Sequence, residues 1–366
     1  MGRKIRVLVV DDSAFMCKWL SSMINAAPDC VVAGTARNGV EALKAVQKLR
    51  PDVVTMDIEL PEIDGLTCVA YIMEDFPTPV VMVTGFSKFL GEETIRALEY
   101  GAVGLVRKPK RMDSRIMEEI REDLLSNIRN ASRVDAGKLK PVTVKERGGH
   151  VKKPALKTTN RVTVVAASSG GPRALSQVIP CLPADIGCAI LVVQHIPDEF
   201  VNSLAERLDH ESILGVRVAG DRDPVRRGEV LVMPAGRDCT ISGGGNGGER
   251  VELGPLYQKK RYPLVQVDSL MTSAADTYGK NTTGVLLTGM GNDGTEGFRR
   301  IKEYGGYTIA EDESTCAVFG MPKSAIEAGL VDRVLPLHEI AAEIVRTSGR
   351  GGRPEGGPFT GNGEEP

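Results

Sequence analysis

The sequence lacks any apolar run approaching the roughly 18 consecutive residues that a membrane span requires. Met1-Gly-Arg-Lys4 leads straight into the strand-like segment Ile5 to Val10, without the apolar core of a secretory signal. The seven cysteines form no C-x-x-C pair, so neither a disulfide framework nor a zinc site is indicated. We therefore expect a cytoplasmic protein with reduced cysteines and no membrane insertion.

A large excess of charge is also lacking. The formal net charge is −2 over 366 residues, which gives no general attraction to nucleic acid. Apolar residues make up 42% and charged residues 26%, proportions that are typical of a globular protein. The length favours two domains, each able to bury a core of its own.

Short valine-rich segments alternate with amphipathic stretches from residue 5 to about residue 129. The segments are Ile5 to Val10, Val31 to Ala36, Val53 to Ile58, Val80 to Thr84 and Val103 to Val106. Such segments are typical of strands buried on both faces of a parallel sheet. They predict a (βα)5 doubly wound domain over residues 1–129.

The alternation stops over residues 130–160, which hold eight Lys or Arg residues against two acidic ones. This composition predicts a flexible basic linker. A solvated, self-repelling spacer is favoured over a segment that contacts nucleic acid.

The alternation then resumes over residues 161–347. Candidate strands are Arg161 to Ala167, Ala189 to Val193, Glu229 to Met233, Gly284 to Leu287 and Tyr307 to Ala310. They predict a second α/β domain with a parallel sheet. Residues 348–366 are rich in Gly and Pro, which predicts a disordered tail.

Five polar residues follow the predicted strands of the first domain. Asp11 and Asp12 follow the first strand, Asp57 the third, Thr84 the fourth and Lys108 the fifth. The carboxyl ends of parallel strands share one edge of the sheet, so these side chains should converge. Crowded carboxylates repel one another, and a hard cation such as Mg²⁺ would remove that cost.

This set, with Met56-Asp-Ile-Glu-Leu-Pro-Glu-Ile-Asp-Gly65, resembles the response-regulator receiver family over residues 5–129. The resemblance implies Asp57 as phosphoacceptor, with Asp11, Asp12 and Asp57 as Mg²⁺ ligands. It also implies Thr84 and Lys108 as the residues that respond to the phosphoryl group. Leu105 departs from the family, which usually has an aromatic residue there.

Ser168 follows the first strand of the second domain, in Ala166-Ala-Ser-Ser-Gly-Gly171, and Pro172 then favours a helix start. Strand, tight turn and helix are the setting of a nucleophilic serine, although Ala166 replaces the first glycine of G-x-S-x-G. A phosphate-binding turn or a plain turn is an equally good interpretation of this segment alone.

His195 directly follows another strand, so it should lie on the same sheet edge as Ser168. The other three histidines lie in the linker (His150) or in helical segments (His210 and His338). This placement favours His195 as the base for Ser168 over a structural histidine.

Asp293 lies in the Gly-rich segment Thr288-Gly-Met-Gly-Asn-Asp-Gly294, again after a strand. A carboxylate there would orient the imidazole, although Asn-Asp-Gly is also a common turn. The order Ser, His, Asp differs from the Ser, Asp, His order of the α/β-hydrolases.

Four segments together resemble the chemotaxis protein-glutamate methylesterase family over residues 161–347. They are Ser168-Ser-Gly-Gly, Gln194-His-Ile-Pro, Thr288-Gly-Met-Gly-Asn-Asp-Gly and Ala310-Glu-Asp-Glu-Ser-Thr-Cys-Ala-Val-Phe-Gly-Met-Pro-Lys323. The resemblance implies Ser168, His195 and Asp293 as catalytic residues, with the backbone N–H groups of Ser169 and Met290 binding the oxyanion. No cofactor is implied for the esterase reaction.

The sequence departs from that family at three places. Ser169 replaces the usual threonine, Cys239 falls where a histidine is common, and the segment from Lys260 to Asp268 is longer than usual. These changes concern the substrate cleft and leave the three implied catalytic residues in place.

The two resemblances together imply a phosphorylation-controlled enzyme that removes methyl esters from glutamates of chemoreceptors, with glutamine deamidation as a second activity. The implied partners are chemoreceptors as substrate and a chemotaxis histidine kinase as phosphodonor. We expect a monomer.

Two alternatives compete with this interpretation, and the first differs from it in class. A phosphorylation-gated transcription factor would need a helix-turn-helix or a similar motif, and no such pattern follows residue 160. A general serine esterase acting on small metabolites would share the catalytic residues and differ in substrate.

Overall fold

The computed structural model of the chain describes residues 3–85, 88–109, 114–139, 157–243, 248–256 and 267–350. Most of the predicted linker (residues 140–156) and most of the predicted tail (residues 351–366) lie outside these ranges.

The first domain is the predicted (βα)5 unit. Its strands are β1 (Ile5–Val10), β2 (Cys30–Ala36), β3 (Val53–Met56), β4 (Val80–Thr84) and β5 (Gly104–Arg107). Its helices are α1 (Ala14–Asn25), α2 (Gly39–Leu49), α3 (Gly65–Asp75), α4 (Lys88–Glu99) and α5 (Ser114–Ala131). The strands form one parallel sheet in the order β2-β1-β3-β4-β5. A short 3₁₀ turn, Ala136–Lys138, follows α5 within the segment predicted as linker.

Local sequence explains why these helices begin where they do. Asn38 precedes α2 and its side chain accepts the N–H of Glu41, while Asp64 precedes α3 and accepts the N–H of Thr67. Each cap satisfies a backbone donor that has no partner within its own helix.

The second domain begins with β6 (Lys157–Thr158), β7 (Val162–Ala167), α6 (Gly171–Val178), β8 (Ala189–Gln194), α7 (Asp198–Glu211), β9 (Gly215–Val218), β10 (Arg226–Arg227) and β11 (Glu229–Val232). It continues with β12 (Cys239–Ser242), β13 (Arg250–Leu253), α8 (Val267–Tyr278), β14 (Thr282–Leu286), α9 (Thr295–Glu303), β15 (Tyr307–Glu311), α10 (Met321–Glu327), β16 (Arg333–Leu335) and α11 (Leu337–Val345).

Seven of these strands form a parallel sheet in the order β16-β15-β14-β7-β8-β11-β9. Strands β12 and β13 pair as an antiparallel hairpin, and β6 pairs with β10. The central strands β7 and β8 are buried along their whole length, which is why they appear in the sequence as unbroken apolar segments.

The fold class predicted from the sequence is confirmed in both domains, and each predicted strand forms within two residues of its expected bounds. Short strands at the sheet edge and the hairpin were missed. Strand β16 is exposed at two of its three residues, so it carries no apolar segment to recognise. None of the described helices combines the length and the apolar character needed to cross a bilayer.

The strand order places a crevice in each domain. In the first sheet the chain passes from β1 to β2 on one side and to β3 on the other. In the second sheet β7 leads to β8 on one side, and the chain later returns to β14 on the other. Ligands of open α/β sheets bind at such reversals, outside the carboxyl ends of the strands.

Candidate active site and phosphorylation site

Ser168 lies at the reversal point of the second sheet, directly after β7. Its N–H donates to the carbonyl of Thr288 at 3.0 Å, and its own carbonyl accepts the N–H of Gly171 at 2.8 Å. Gly170 has φ +77, and a Cβ there would lie 2.6 Å from the Cβ of Ala317. The turn therefore requires glycine at this position, and it presents Ser168 at the sheet edge.

His195 lies beside this turn, at the end of the neighbouring strand β8. In the parallel register Ala167 pairs with Gln194, and the His195 N–H donates to the Ala167 carbonyl at 3.0 Å. The Nε2 atom of His195 lies 3.0 Å from Oδ2 of Asp293, and both side chains are largely shielded from water. The structure thus brings Ser168, His195 and Asp293 to one sheet edge, as the sequence predicts.

Asp293 is held in its ionised form. Burial raises its pKa, but the hydrogen bond from His195 and the N–H groups of Val267 and Asp268 outweigh burial, so the net pKa lies below its usual value. A carboxylate of this kind can orient the imidazole and stabilise its charged form.

Gln194 and Thr288 also contact the backbone of this turn, although the sequence analysis assigned no role to either side chain. The Gln194 amide donates to the carbonyls of Ser168 and His195, both at 2.9 Å. The Thr288 hydroxyl donates to the Ser169 carbonyl at 2.9 Å and accepts the N–H of Val318. The available signal was a polar residue at a buried strand end in each case, Gln194 before His195 and Thr288 after β14.

The carbonyls next to the candidate oxyanion donors are pinned. Gln194 and Gly171 bind the Ser168 carbonyl, which shares its peptide unit with the Ser169 N–H. The N–H groups of Gly320 and Met321 bind the Gly289 carbonyl, which shares its unit with the Met290 N–H. In a trans peptide the N–H and C=O point in opposite directions, so both N–H groups are fixed in orientation.

A fully buried carboxylate, Glu311, lies under the same loops. Its Oε2 accepts the N–H of Thr288 at 2.7 Å. Burial raises the pKa of Glu311, and the positive charge of Arg173 is one of the interactions that oppose the rise. Glu311 thus fixes the strand end from which the Thr288 carbonyl reaches Ser168.

The acidic residues of the first domain converge as predicted. Carboxylate oxygens of Asp11, Asp12 and Asp57 lie within 4.8 Å of one another. Lys108 Nζ lies 2.6 Å from both Asp11 Oδ2 and Asp57 Oδ2. The buried Thr84 hydroxyl, in the same strand-end set, has no hydrogen-bond partner among the described residues. Three converging carboxylates and a free hydroxyl fit a divalent cation with a phosphoryl group beside it.

Burial dominates the electrostatics of Asp57. It raises the pKa of this carboxyl to about 6, against the opposing effect of the Lys108 ammonium. The pKa of Lys108 rises in turn, because the charge of Asp57 and the hydrogen bonds to Asp11 and Asp57 outweigh burial. An added cation would therefore compete with Lys108 for these carboxylates, and an added phosphoryl group would compete with them for Lys108.

Two of the residues that depart from the family patterns, Leu105 and Cys239, are buried within the fold. Leu105 is buried within β5. Cys239 is fully buried, and burial raises the pKa of its thiol to about 12. Most of the long segment before Asp268, residues 257–266, lies outside the described ranges, as does His150.

Comparison with known proteins agrees with both domains. The family model described as CheB methylesterase matches residues 163–344, and the response regulator receiver domain model matches residues 7–121. A protein-glutamate methylesterase/protein-glutamine glutaminase of Pyrococcus horikoshii is 41% identical over 96% of this chain and 98% of its own length. A protein of the same name from Symbiobacterium thermophilum is 42% identical over 95% of this chain and 98% of its own.

A solved structure of the Thermotoga maritima CheB methylesterase catalytic domain is 42% identical and covers 51% of this chain and 97% of its own, with a TM-score of 0.48. Identity above 40% that extends over both domains and almost the whole length of the relatives leaves one assignment. The chain belongs to the protein-glutamate methylesterase/protein-glutamine glutaminase family, with a receiver domain joined to a CheB methylesterase domain.

Proposed function

We propose that this enzyme hydrolyses glutamate methyl esters on chemoreceptors through an acyl-enzyme on Ser168, and that phosphorylation of Asp57 relieves inhibition by the receiver. Removal of these methyl groups would provide adaptation in chemotaxis, in the cytoplasm. The observation that carries the chemical part is the 3.0 Å contact of His195 Nε2 with Asp293, next to the turn that presents Ser168.

The contact between His195 and Asp293 supports one assignment of the proton transfers. Asp293 binds Nε2 of His195, so Nδ1 is the ring nitrogen that takes the Ser168 proton. The Ser168 oxygen attacks the ester carbonyl, and the C–O bond to the methoxy group breaks. His195 returns the proton to the leaving oxygen, which gives methanol. Water then hydrolyses the acyl-enzyme with His195 again acting as base.

The developing oxyanion would be bound by the backbone N–H groups of Ser169 and Met290. Their fixed orientation supports this role, because preorganised donors gain more from a charge that appears only in the transition state. One such donor typically contributes about 3 kcal/mol. Attack on a glutamine amide would form the same acyl-enzyme and release ammonia, which gives the deamidase activity.

The receiver would accept a phosphoryl group on Asp57 from a chemotaxis histidine kinase. Asp11, Asp12 and Asp57 would hold Mg²⁺, which neutralises phosphoryl oxygens when bound. Thr84 and Lys108 would turn to the phosphoryl group. The Thr84 hydroxyl supports this assignment, because no other described residue binds it.

Contacts between the domains support control by docking. Glu99 at the end of α4 accepts the Ser176 hydroxyl of α6 at 2.8 Å and Arg207 Nε of α7 at 3.2 Å. Arg207 also lies 2.5 Å from Glu211, and both glutamates are buried. The receiver therefore contacts the two helices that directly follow the Ser168 turn and His195.

A second contact lies close to the phosphorylation site. Arg107 at the end of β5 forms an ion pair with Glu199 in the first turn of α7. The next residue, Lys108, is the one that binds Asp57. Movement of Lys108 toward a phosphoryl group would disturb the pair and shift the population toward undocked molecules.

The alternatives are separated by substrate. A general serine esterase would hydrolyse simple esters as well as methylated receptor, whereas this proposal requires the protein substrate to be much the better one. The second domain is a parallel-sheet α/β unit rather than a helix-turn-helix, which disfavours the transcription factor.

Ser168→Ala is expected to abolish methanol release from methylated chemoreceptor membranes, a loss of about 10⁶-fold for a triad serine. Ser169→Ala, which keeps its backbone N–H, is the matched control and should stay within about tenfold of wild type. A small-molecule phosphodonor should stimulate the wild type and leave Asp57→Asn unchanged. Methanol release that survives in Ser168→Ala would contradict the proposed nucleophile.

Arg207→Ala is expected to raise the basal activity of the unphosphorylated chain several-fold. It leaves two buried carboxylates without their cation in the docked state, which costs about 3–5 kcal/mol that undocking relieves. Methanol release without phosphodonor is the readout. Arg222→Ala, which breaks an exposed ion pair with Glu252, is the control and should change nothing. Unchanged basal activity in Arg207→Ala would contradict control through this contact.

Basal activity should also rise with pH. Burial, and then the charge of Glu99, raise the pKa of Glu211 to about 7 against the opposing charge of Arg207. Glu92 adds a further negative charge near Arg207. Undocking exposes Glu211 and returns its pKa toward about 4.5. Between about pH 4.5 and 7 the docked state thus holds an extra proton, so docking weakens as pH rises through this window and levels off above about pH 7.

The measurement compares the unphosphorylated wild type with Glu211→Gln, whose neutral amide does not titrate. The ratio of their activities should be near one at about pH 4.5, rise with pH, and level off above about pH 7. A ratio that stays constant across this range would show that Glu211 does not couple docking to pH.

A further inference from the structure

The carboxylate of Asp293 sits on the start of helix α8. Its Oδ2 accepts the N–H of Val267, and its Oδ1 accepts the N–H of Asp268, both at 3.1 Å. These are among the first N–H groups of α8, which have no acceptor within their own helix. The partial positive charge of the helix start favours a carboxylate there.

The side chain of Asp268 in turn binds the segment that follows Asp293. Its Oδ1 accepts the N–H groups of Gly294 at 2.9 Å and of Gly297 at 2.7 Å, at the start of helix α9. Gly294 directly follows Asp293 in the chain. Asp268 and Asp293 therefore bind reciprocally: each carboxylate accepts backbone N–H groups at or near the other residue.

Helix α9 depends on this reciprocal binding for its N-terminal cap. Its N-cap residue is Gly294, which has φ +99 and no side chain to bind the free N–H groups. A Cβ at Gly294 would lie 2.5 Å from Leu286, so no larger residue could supply a cap from this position. Asp268 supplies the missing acceptor from the neighbouring helix.

We propose that Asp268 is a positioning residue for Asp293, which it holds by fixing the peptide units that follow Asp293 in the chain. The inference rests on the proposed triad of Ser168, His195 and Asp293. Without the Asp268 carboxylate, the turn at Gly294 loses two hydrogen bonds, and Asp293 is free to move from His195 Nε2.

The expected consequence is a loss of turnover rather than of receptor binding. A displacement of about 1 Å within a catalytic constellation can lower the rate about 100-fold. Asp268→Ala should therefore lower kcat for methanol release by about 10- to 100-fold and leave KM unchanged, because Asp268 acts through Asp293 and not through substrate. Asp268→Asn keeps an acceptor oxygen and should restore kcat to within about threefold of wild type.

Asp332→Ala is the matched structural control. Asp332 also accepts a backbone N–H, that of Thr308 at 2.9 Å, but at the start of β15, on the opposite edge of the sheet from Ser168. Its loss should lower the melting temperature with kcat near wild type. If Asp268→Ala does not fold, Asp268→Ser takes its place, since its shorter hydroxyl cannot bind both N–H groups, and kcat must still fall well below that of Asp332→Ser.

Asp293→Ala, measured in parallel in the full chain, separates this inference from the proposed triad. Its kcat should fall by about 10⁴-fold. Full activity in Asp293→Ala would refute the triad and the inference with it. A strong loss in Asp293→Ala together with an Asp268→Ala that resembles Asp332→Ala, or that changes KM alone, would refute only the positioning role.

Discussion

The reversal of strand order in each parallel sheet is the constraint on which the rest of the molecule depends. At the reversal point, the connections from two adjacent strands run to opposite faces of the sheet. This leaves an open crevice outside the carboxyl ends of these strands. Asp11 and Asp57 occupy this position in the receiver, and Ser168 occupies it in the methylesterase domain. The same rule therefore places the candidate phosphorylation site and the candidate nucleophile, although the two sites share no chemistry.

Each site combines two or more carboxylates with a single cationic or protonatable group. In the receiver, Lys108 binds both Asp11 and Asp57. Between the domains, Arg207 forms ion pairs with Glu99 and Glu211. At the candidate active site, His195 binds Asp293, which also accepts the N–H of Asp268. Buried charge that is only partly compensated responds strongly to one added charge. An added phosphoryl group, proton or metal ion can therefore change the interactions within these clusters. Surface charges that are already fully paired would change little.

Strand ends and apolar segments were enough to predict the central strands and the candidate catalytic residues from the sequence. Ser168, His195 and Asp293 were found because each comes after a buried strand, and the structure brings them together. Gln194, Thr288 and Asp268 were missed, because their roles arise from hydrogen bonds to the backbone of distant segments. Such contacts leave no periodic pattern in the amino-acid sequence. The short edge strands were missed for a similar reason, since exposure removes the apolar segment that marks a central strand.

We expect one acyl-enzyme on Ser168 to serve both the ester and the amide reaction. Hydroxylamine competes with water for such an intermediate, so the ratio of glutamyl hydroxamate to glutamate reports on it directly. The measurement uses one receptor, once with a methylated glutamate and once with a glutamine at the same position, and subtracts the background seen with Ser168→Ala. A shared acyl-enzyme requires the same ratio from both substrates. Ratios that differ would mean that the two reactions share no intermediate, and would contradict this expectation.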